Sequence, residues 1–198
     1  MKLIFISGPS GSGKTTLSNE IIEKIKNGFV LSTDNYYKTG LISKLVSKFL
    51  EGYFDRSISF NYKLFKKDFD YIFKNGISLH NRLYDFEKKT IKKIINKTNN
   101  INFLIVEGIF AREFLSTLYN QNCVFLELKV NKNVCIKRVL QRDLKERGKS
   151  KKQSMNNFLK SWKIYYEKLK NTKIKNNIYE ITIYKKDNID QILKKIFN

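Results

Sequence analysis

Residues 6–20 read ISGPSGSGKTTLSNE, and this stretch decides the fold. It is entered by a β-rich apolar run, Leu3 to Ser7, and left through Thr15 to Ile25, where Leu17, Ile21, Ile22 and Ile25 recur at helical spacing. Between strand and helix lie residues that bury almost nothing, so the segment has a task other than packing. Gly8, Gly11 and Gly13 let the backbone curl with its amide hydrogens inward, and the positive end of the following helix adds to that nest; together they make a cradle for phosphate. Gly8, Gly13, Lys14 and Thr15 satisfy G-x-x-x-x-G-K-[ST] in the strand–turn–helix context that the motif demands. Ser10, Gly11, Ser12 and Thr16 complete the cradle. Lys14 can follow a transferring γ-phosphate as a mobile point charge, and Thr15 offers its hydroxyl to Mg²⁺. The expected ligand is a nucleoside triphosphate with its magnesium.

Working outward, "FVLSTD" (29–34) reads as a second strand, followed by the turn "NYYK". Residues 39 to 75 read as mostly helical, in two segments, "LISKLVSKFL" and "YKLFKKDFDYIFKNG", the second closing on Gly76 as a C-terminal cap. The intervening "EGYFDRSIS" cannot be helical throughout. Ile77 to Leu79 and Arg82 to Phe86 read as a short hairpin, and Glu87 to Asn96 as a return to helix. "INFLIVEG" and "NCVFLELKV" are buried strands. "NKNVCIKRVLQRDLKERG" is a basic helix over Val134, Val139 and Leu140, Met155 to Leu169 is another helix, "NIYEITI" a last strand and "NIDQILKKIF" a last helix. Strands apolar at nearly every position, alternating with helices, mean a parallel sheet covered on both faces.

The composition narrows the function classes. A chain of 198 residues has one good core, and a single proline leaves no room for proline-rich linkers, so one domain over 1–198 is expected. The net charge of +21 would suit nucleic acid, but lysine is spread along the whole length instead of forming a basic arm. It reads as a solvated surface whose field also attracts acidic small molecules; nucleic acid is not the expected partner. Cys123 and Cys135 are too few for a zinc knot or disulfide scaffold and read as core residues in a reducing compartment. "LIFIS" is far too short for a signal-peptide core or a membrane span, and no later run reaches about eighteen apolar residues. The expected setting is the cytoplasm, away from membranes, with a homo-oligomer left open.

The acceptor of the phosphate is the next question. A GTPase should carry N-K-x-D and D-x-x-G, and neither is present; motors and pumps need far more chain. Asp34 follows "FVLST" and so projects from the carboxyl edge of a strand beside the phosphate loop. A carboxylate there can take the proton of an attacking hydroxyl, or act through water on Mg²⁺. Glu107 ends the strand "FLIV" at the same edge and can orient the metal's water shell. Arg138, Arg142 and Arg147 lie at spacings of four and five, the last where the basic helix ends at Gly148. In a chain that prefers lysine so heavily, three arginines within ten residues point to neutralisation of a transferring phosphoryl group, on a lid that closes over it.

These residues carry a family pattern. "GPSGSGKTT", "STDNYYK", "YFD", "NRLYDF", "IVEGI" and "QRDLKERGK", in this order, resemble the uridine kinase group of the phosphoribulokinase/uridine kinase family over nearly the whole chain. The resemblance implies an α/β P-loop NTPase three-layer sandwich with a parallel five-stranded sheet, an acceptor-binding insert at about 39–86 and a helical lid at about 138–155. It implies that Asp34 takes the proton of a nucleoside 5′-hydroxyl, with Tyr37 near the nucleoside. Asp55 is similar to the aspartate that grips the ribose hydroxyls, and Phe54 lies beside the base. Tyr84 matches the aromatic set against the pyrimidine, with Asp85 and Phe86 completing that motif. Glu107 resembles the glutamate near Mg²⁺; Arg142 and Arg147 match lid arginines, and Arg138 a basic residue one turn earlier. Departures cluster where the base is read. The sole histidine, His80, precedes the motif; Phe86, Glu87, Lys88 and Lys89 follow Asp85, where the family has a histidine three residues after its aspartate; and Asn157 stands for a glutamine.

The expected activity is transfer of phosphate from ATP to the 5′-hydroxyl of uridine or cytidine. The alternatives are a kinase for another small alcohol, such as a different ribosylated metabolite, pantothenate or a sugar phosphate, and a nucleotide-dependent RNA-binding or regulatory protein.

Overall fold

Strand β1 (Lys2–Ser7) runs straight into the glycine-rich turn and helix α1 (Lys14–Ile25), and β2 (Gly28–Ser32) ends in a 3₁₀ turn, Thr33–Tyr36. Then follow α2 (Leu41–Phe49), two short 3₁₀ turns at Tyr53–Asp55 and Ser57–Ser59, α3 (Tyr62–Asn75), and the strands β3 (Ser78–Asp85) and β4 (Thr90–Thr98). The chain continues through β5 (Phe103–Glu107), α4 (Ala111–Thr117), β6 (Cys123–Lys129), α5 (Lys132–Glu146), α6 (Lys151–Asn171), β7 (Tyr179–Tyr184) and α7 (Ile189–Phe197). This computed structural model describes all residues except 51, 118–122, 173–177, 185–186 and 198. Glu51, Asn122 and Asn177, which open three of the stretches read above, lie outside the described residues.

Five strands form one parallel sheet in the order β2-β5-β1-β6-β7. The two-residue period of a strand divides β1 between two cores. Leu3 and Phe5 face a layer with Leu104, Val106 and Phe125, under Phe65 and Phe69 of α3 and Phe114 of α4. Ile4 and Ile6 face the other way, with Ile105 and Leu126, under Leu17 and Ile21 of α1 and Ile192 and Ile196 of α7. Helix–sheet–helix layering is thus the three-layer sandwich expected. A third, smaller cluster, Cys135, Val139 and Phe158, joins α5 to α6. Helix α5 buries Cys135, Val139 and Asp143, whereas Val134 and Leu140 are only half buried, which corrects the expected inner face. Both cysteines are free thiols and buried. Among the described residues no helix is long and apolar enough to cross a membrane.

Because β5 is inserted between β1 and β2, three carboxyl ends are brought side by side. Glu107 is in register with Ile6 on one flank and Ser32 on the other, so the phosphate loop, the turn bearing Asp34 and Glu107 share one edge. Gly108 makes this possible. Its φ is +140°, and a Cβ there would stand 1.8 Å from the Thr33 hydroxyl oxygen, so only glycine lets β5 end so close to the Thr33–Tyr36 turn.

The expected helix over Glu87 to Asn96 is not formed. The Asp85 carboxylate accepts the amides of Glu87 and Lys88 at 2.9 and 2.8 Å, Lys89 takes φ +53°, and the chain reverses into β4. The two short pieces read as a hairpin are instead the two ends of β3, whose antiparallel partner is β4, from Asp85 opposite Thr90 to Ser78 opposite Thr98.

Candidate active site

The phosphate loop leaves β1 at Ser7, and α1 begins at Lys14 behind Gly13 at φ +96°. Gly11, at φ +79°, lies against α5: a Cβ there would come within 2.6 Å of the Cys135 carbonyl oxygen. Lys14 is buried, and its ammonium donates to the carbonyls of Gly8 and Pro9 at 3.0 and 3.2 Å. Arg138 donates to the carbonyls of Gly11 and Ser12 at 3.2 and 3.4 Å, so this arginine braces the loop from α5. The buried Ser12 hydroxyl has no protein partner among the described residues.

At the shared strand edge, the Thr15 hydroxyl donates to Glu107 Oε1 at 3.4 Å. Glu107 is almost fully buried, and burial raises its carboxyl above the usual range; the nearby Asp34 charge adds to this, while Lys14 and the hydroxyls of Ser32 and Thr15 oppose it. Asp34 Oδ1 is buried without a protein partner among the described residues. An orphaned carboxylate oxygen, a second buried carboxylate and a threonine hydroxyl form a donor set of hard oxygens, which fits a hydrated magnesium ion. Neither Asp34 nor Glu107 belongs to the wall of the cleft that opens above them.

That cleft has a volume of about 1350 Å³ and runs from the phosphate loop to the insert. Residues 10–16 line one end; Tyr37, Phe54, Asp55, Tyr84 and Lys89 line the other; Arg138, Arg142, Arg147 and Asn157 line the span between. Of the expected phosphate-loop residues, only Gly8 is outside the wall. At the far end Tyr37, Phe54, Tyr84 and Phe86 form a box in which every ring pair is edge-on, with centroids 5.0 to 6.2 Å apart. Burial pushes the Tyr37 phenol well up, with Asp34 and Asp55 adding and Arg147 opposing, so these four groups share one electrostatic neighbourhood. Tyr84, pushed up to about 12 by burial, keeps its hydroxyl buried and without a partner among the described residues. Asp55 is also raised by burial, against a hydrogen bond from Ser161 at 2.6 Å. Lys89 donates to Ser47 of α2 at 2.5 Å.

Sequence reading missed the group that organises the arginines. Asp143 is buried, and its Oδ1 accepts from Arg142 Nε and Nη2 at 3.1 and 2.9 Å; Arg147 and Lys149 lie 3.7 and 3.8 Å from the same carboxylate. The Asp143 carbonyl also accepts the amides of Arg147 and Lys149, ending the helix. Its signal in the sequence was only an acid four residues before an arginine, a spacing common on any helix. Arg147 lies with its guanidinium carbon 4.0 Å from the centre of the Phe86 ring, joining the end of α5 to the aromatic box.

The fold and this site define an ATP-dependent phosphotransferase built on a phosphate loop. Within that class the chain belongs to the phosphoribulokinase/uridine kinase family, whose sequence pattern matches residues 3–179. It is 32% identical to the uridine kinase of Borrelia duttonii (strain Ly) over 178 residues, covering 87% of this chain and 82% of that protein. Against the uridine kinase of Staphylococcus aureus (strain JH9) it is 33% identical over 159 residues, 79% of this chain and 75% of that one. In three dimensions it resembles D-glycerate 3-kinase from Cryptococcus neoformans with a TM-score of 0.63, covering 96% of this chain and 87% of that one; at 13% identity this is a likeness of fold.

Proposed function

We propose that the protein transfers the γ-phosphoryl group of ATP to the 5′-hydroxyl of a pyrimidine nucleoside. One observation carries this reading: a single cleft is lined by phosphate-loop residues 10–16 and by Tyr37, Asp55, Tyr84 and Arg147, and the loop's Thr15 reaches Glu107 at the shared strand edge. Residues 8–16 hold the triphosphate with their amides and with Lys14. Thr15, with Glu107 and Asp34 through its water shell, would hold Mg²⁺, which when bound offsets the negative charge of the phosphates. Asp55 takes the ribose hydroxyls, and the aromatic box takes the base beside Lys89 and Asn157. Asp34 accepts the proton as the 5′-oxygen forms its bond to the γ-phosphorus and the bond from that phosphorus to the β,γ-bridging oxygen of ATP breaks, leaving ADP. Arg142 and Arg147 neutralise charge on the transferring group, Arg138 keeps the loop in shape, and residues 138–155 act as the lid. The insert, residues 39–86 extended by β4, supplies the acceptor pocket of a single kinase domain.

A second reading, a kinase for another small alcohol, draws on Lys89 and Lys149, two cations in the cleft wall at the acceptor end. The test is phosphorylation by purified protein with Mg·ATP, using uridine and cytidine beside ribose, pantothenate, glycerate and a sugar phosphate. Turnover with a pyrimidine nucleoside at least about tenfold above the other alcohols is expected. Failure with both nucleosides ends the first reading, and turnover of one of the other alcohols then establishes the second.

A further inference from the structure

Helix α6 presents Ser161, Tyr165 and Lys168 at intervals of four and three, hence on one face. Each is committed to a different part of the site's frame. Ser161 Oγ donates to Asp55 Oδ1 at 2.6 Å. The Tyr165 hydroxyl donates to the buried Glu127 of β6 and shares a hydrogen bond of 3.0 Å with Ser7, the residue before the phosphate loop. Lys168 donates to Glu113 at 2.7 Å and to Ser57, two residues beyond Asp55, at 3.3 Å. One helical face therefore ties the strand leading into the loop to the turn that carries Asp55.

A carboxylate has about four lone-pair sites, and the terminal torsion of an aspartate is soft. Left alone, Asp55 would turn freely and present those sites in many directions. Ser161 takes one site on Oδ1 and so fixes the plane of the other three. We infer that Ser161 is a positioning residue for the acceptor: it holds the Asp55 carboxylate in one orientation for the acceptor's neighbouring hydroxyls. This rests on the reading that Asp55 grips the acceptor.

The charges around Asp55 show why a donor is needed there. Asp34, from the turn after β2, disfavours its ionisation, as does burial; Lys149 beyond α5 and Lys168 on α6 favour it. Tyr37 faces it from the insert side, and Arg112 and Glu113 of α4 face it across a small cavity. Ser161 supplies the strongest of the favourable contributions.

The experiment compares the intact protein with Ser161→Ala, Ser161→Thr, Tyr165→Phe and Asp55→Ala, using Mg·ATP and uridine. Ser161→Ala is expected to raise the KM for uridine by on the order of tenfold or more, as for loss of a hydrogen bond to a charged group. It should change kcat less than about threefold and leave the KM for ATP alone, and Ser161→Thr should restore the KM. Tyr165→Phe, which leaves the donor to Asp55 in place, should lower thermal stability without that selective change. A second measurement needs no acceptor. The Asp55 carboxyl titration, followed by ¹³C NMR, should move to higher pH in Ser161→Ala and return in Ser161→Thr. An unshifted titration overturns the inference, as does an identical kinetic pattern in Ser161→Ala and Tyr165→Phe. An Asp55→Ala variant with wild-type uridine KM overturns the acceptor reading itself, and this inference with it; a large defect in Asp55→Ala with a silent Ser161→Ala overturns the inference alone.

Discussion

At the scale of single residues, the site divides into groups that do chemistry and groups that aim them. On the proposed reading Asp34 is the base, and its Oδ1 has no protein partner among the described residues. Asp34→Asn removes the base with almost no change in volume, and kcat should fall by about 10²- to 10⁴-fold while nucleotide binding is kept. Steady-state turnover and titration calorimetry with Mg·ATP check both halves; near-normal kcat refutes the assignment. Lys14→Ala should weaken nucleotide binding and turnover together, because its ammonium is the mobile charge of the loop. Asp143→Asn is a different kind of change, since it leaves Arg142, Arg147 and Lys149 gathered round a neutral group. The expected loss is about 3 kcal/mol, at the low end for a broken buried ion pair because Arg142 and Lys149 remain partly hydrated. Chemical denaturation measures it, and a loss below about 1 kcal/mol would show that the lid cations need no common anchor. The place of Lys14 in its motif and of Asp34 after a strand end was legible because both are local features. Asp143 was not, because an acid near arginines on a helix is too common a pattern to single out, and Ser161 was not, because its partner Asp55 lies 106 residues away in sequence.

At the scale of elements, the insert packs on the sheet through Phe65 and Phe69, and one buried carboxylate of the same helix adds a polar tie. Asp68 of α3 accepts from Arg82 of β3 at 2.6 and 3.1 Å and from Tyr36 of the Asp34-bearing turn at 2.9 Å, with His80 at 3.5 Å. Burial alone would raise Asp68, but the Arg82 and Tyr36 hydrogen bonds and the Arg82 charge outweigh it, so its carboxyl lies below the usual range. The stability it contributes is present above the unfolded carboxylate range, near pH 4, and is lost as pH falls through the folded value. His80 is shifted down, first by burial and then by Arg82, with Asp68 opposing. Its unfolded form therefore binds more protons below about pH 6.5, and stability falls there first. Thermal melts from pH 7.5 to 4 should show an early loss that sets in below about pH 6.5 and that His80→Gln removes. A profile identical in the variant would exclude His80 as its source. The hairpin was the element least legible in the sequence. Ile91, Ile94 and Ile95 fall at spacings that a helix would use, and only Asp85 capturing two amides and Lys89 in left-handed geometry reverse the chain.

At the scale of the whole molecule, the parallel sheet was legible because its strands are rich in apolar residues, and β1, β5 and β6 are buried on both faces while the edge strands β2 and β7 are not. The strand order was not, since no local pattern says that β5 lies between β1 and β2; only that order brings Asp34 and Glu107 together. Net charge acts at this scale too. With +21 spread over the surface, self-repulsion opposes the folded state, and the melting temperature should rise as salt increases from about 10 to 150 mM. A flat or falling dependence would mean that the lysines are already neutralised locally. Mg·ATP at about a hundred times its Kd should add about 2.7 kcal/mol, or roughly 5–10 °C for a chain of this size. The same addition to Lys14→Ala should give a much smaller rise.

The resting place of Arg147 on the Phe86 ring has a consequence for traffic through the cleft. The contact works as a latch between the end of α5 and the aromatic box, worth about 1 kcal/mol. A latch that weak allows opening on the microsecond-to-millisecond scale of lid motions. Taken alone, it favours the closed arrangement by about fivefold.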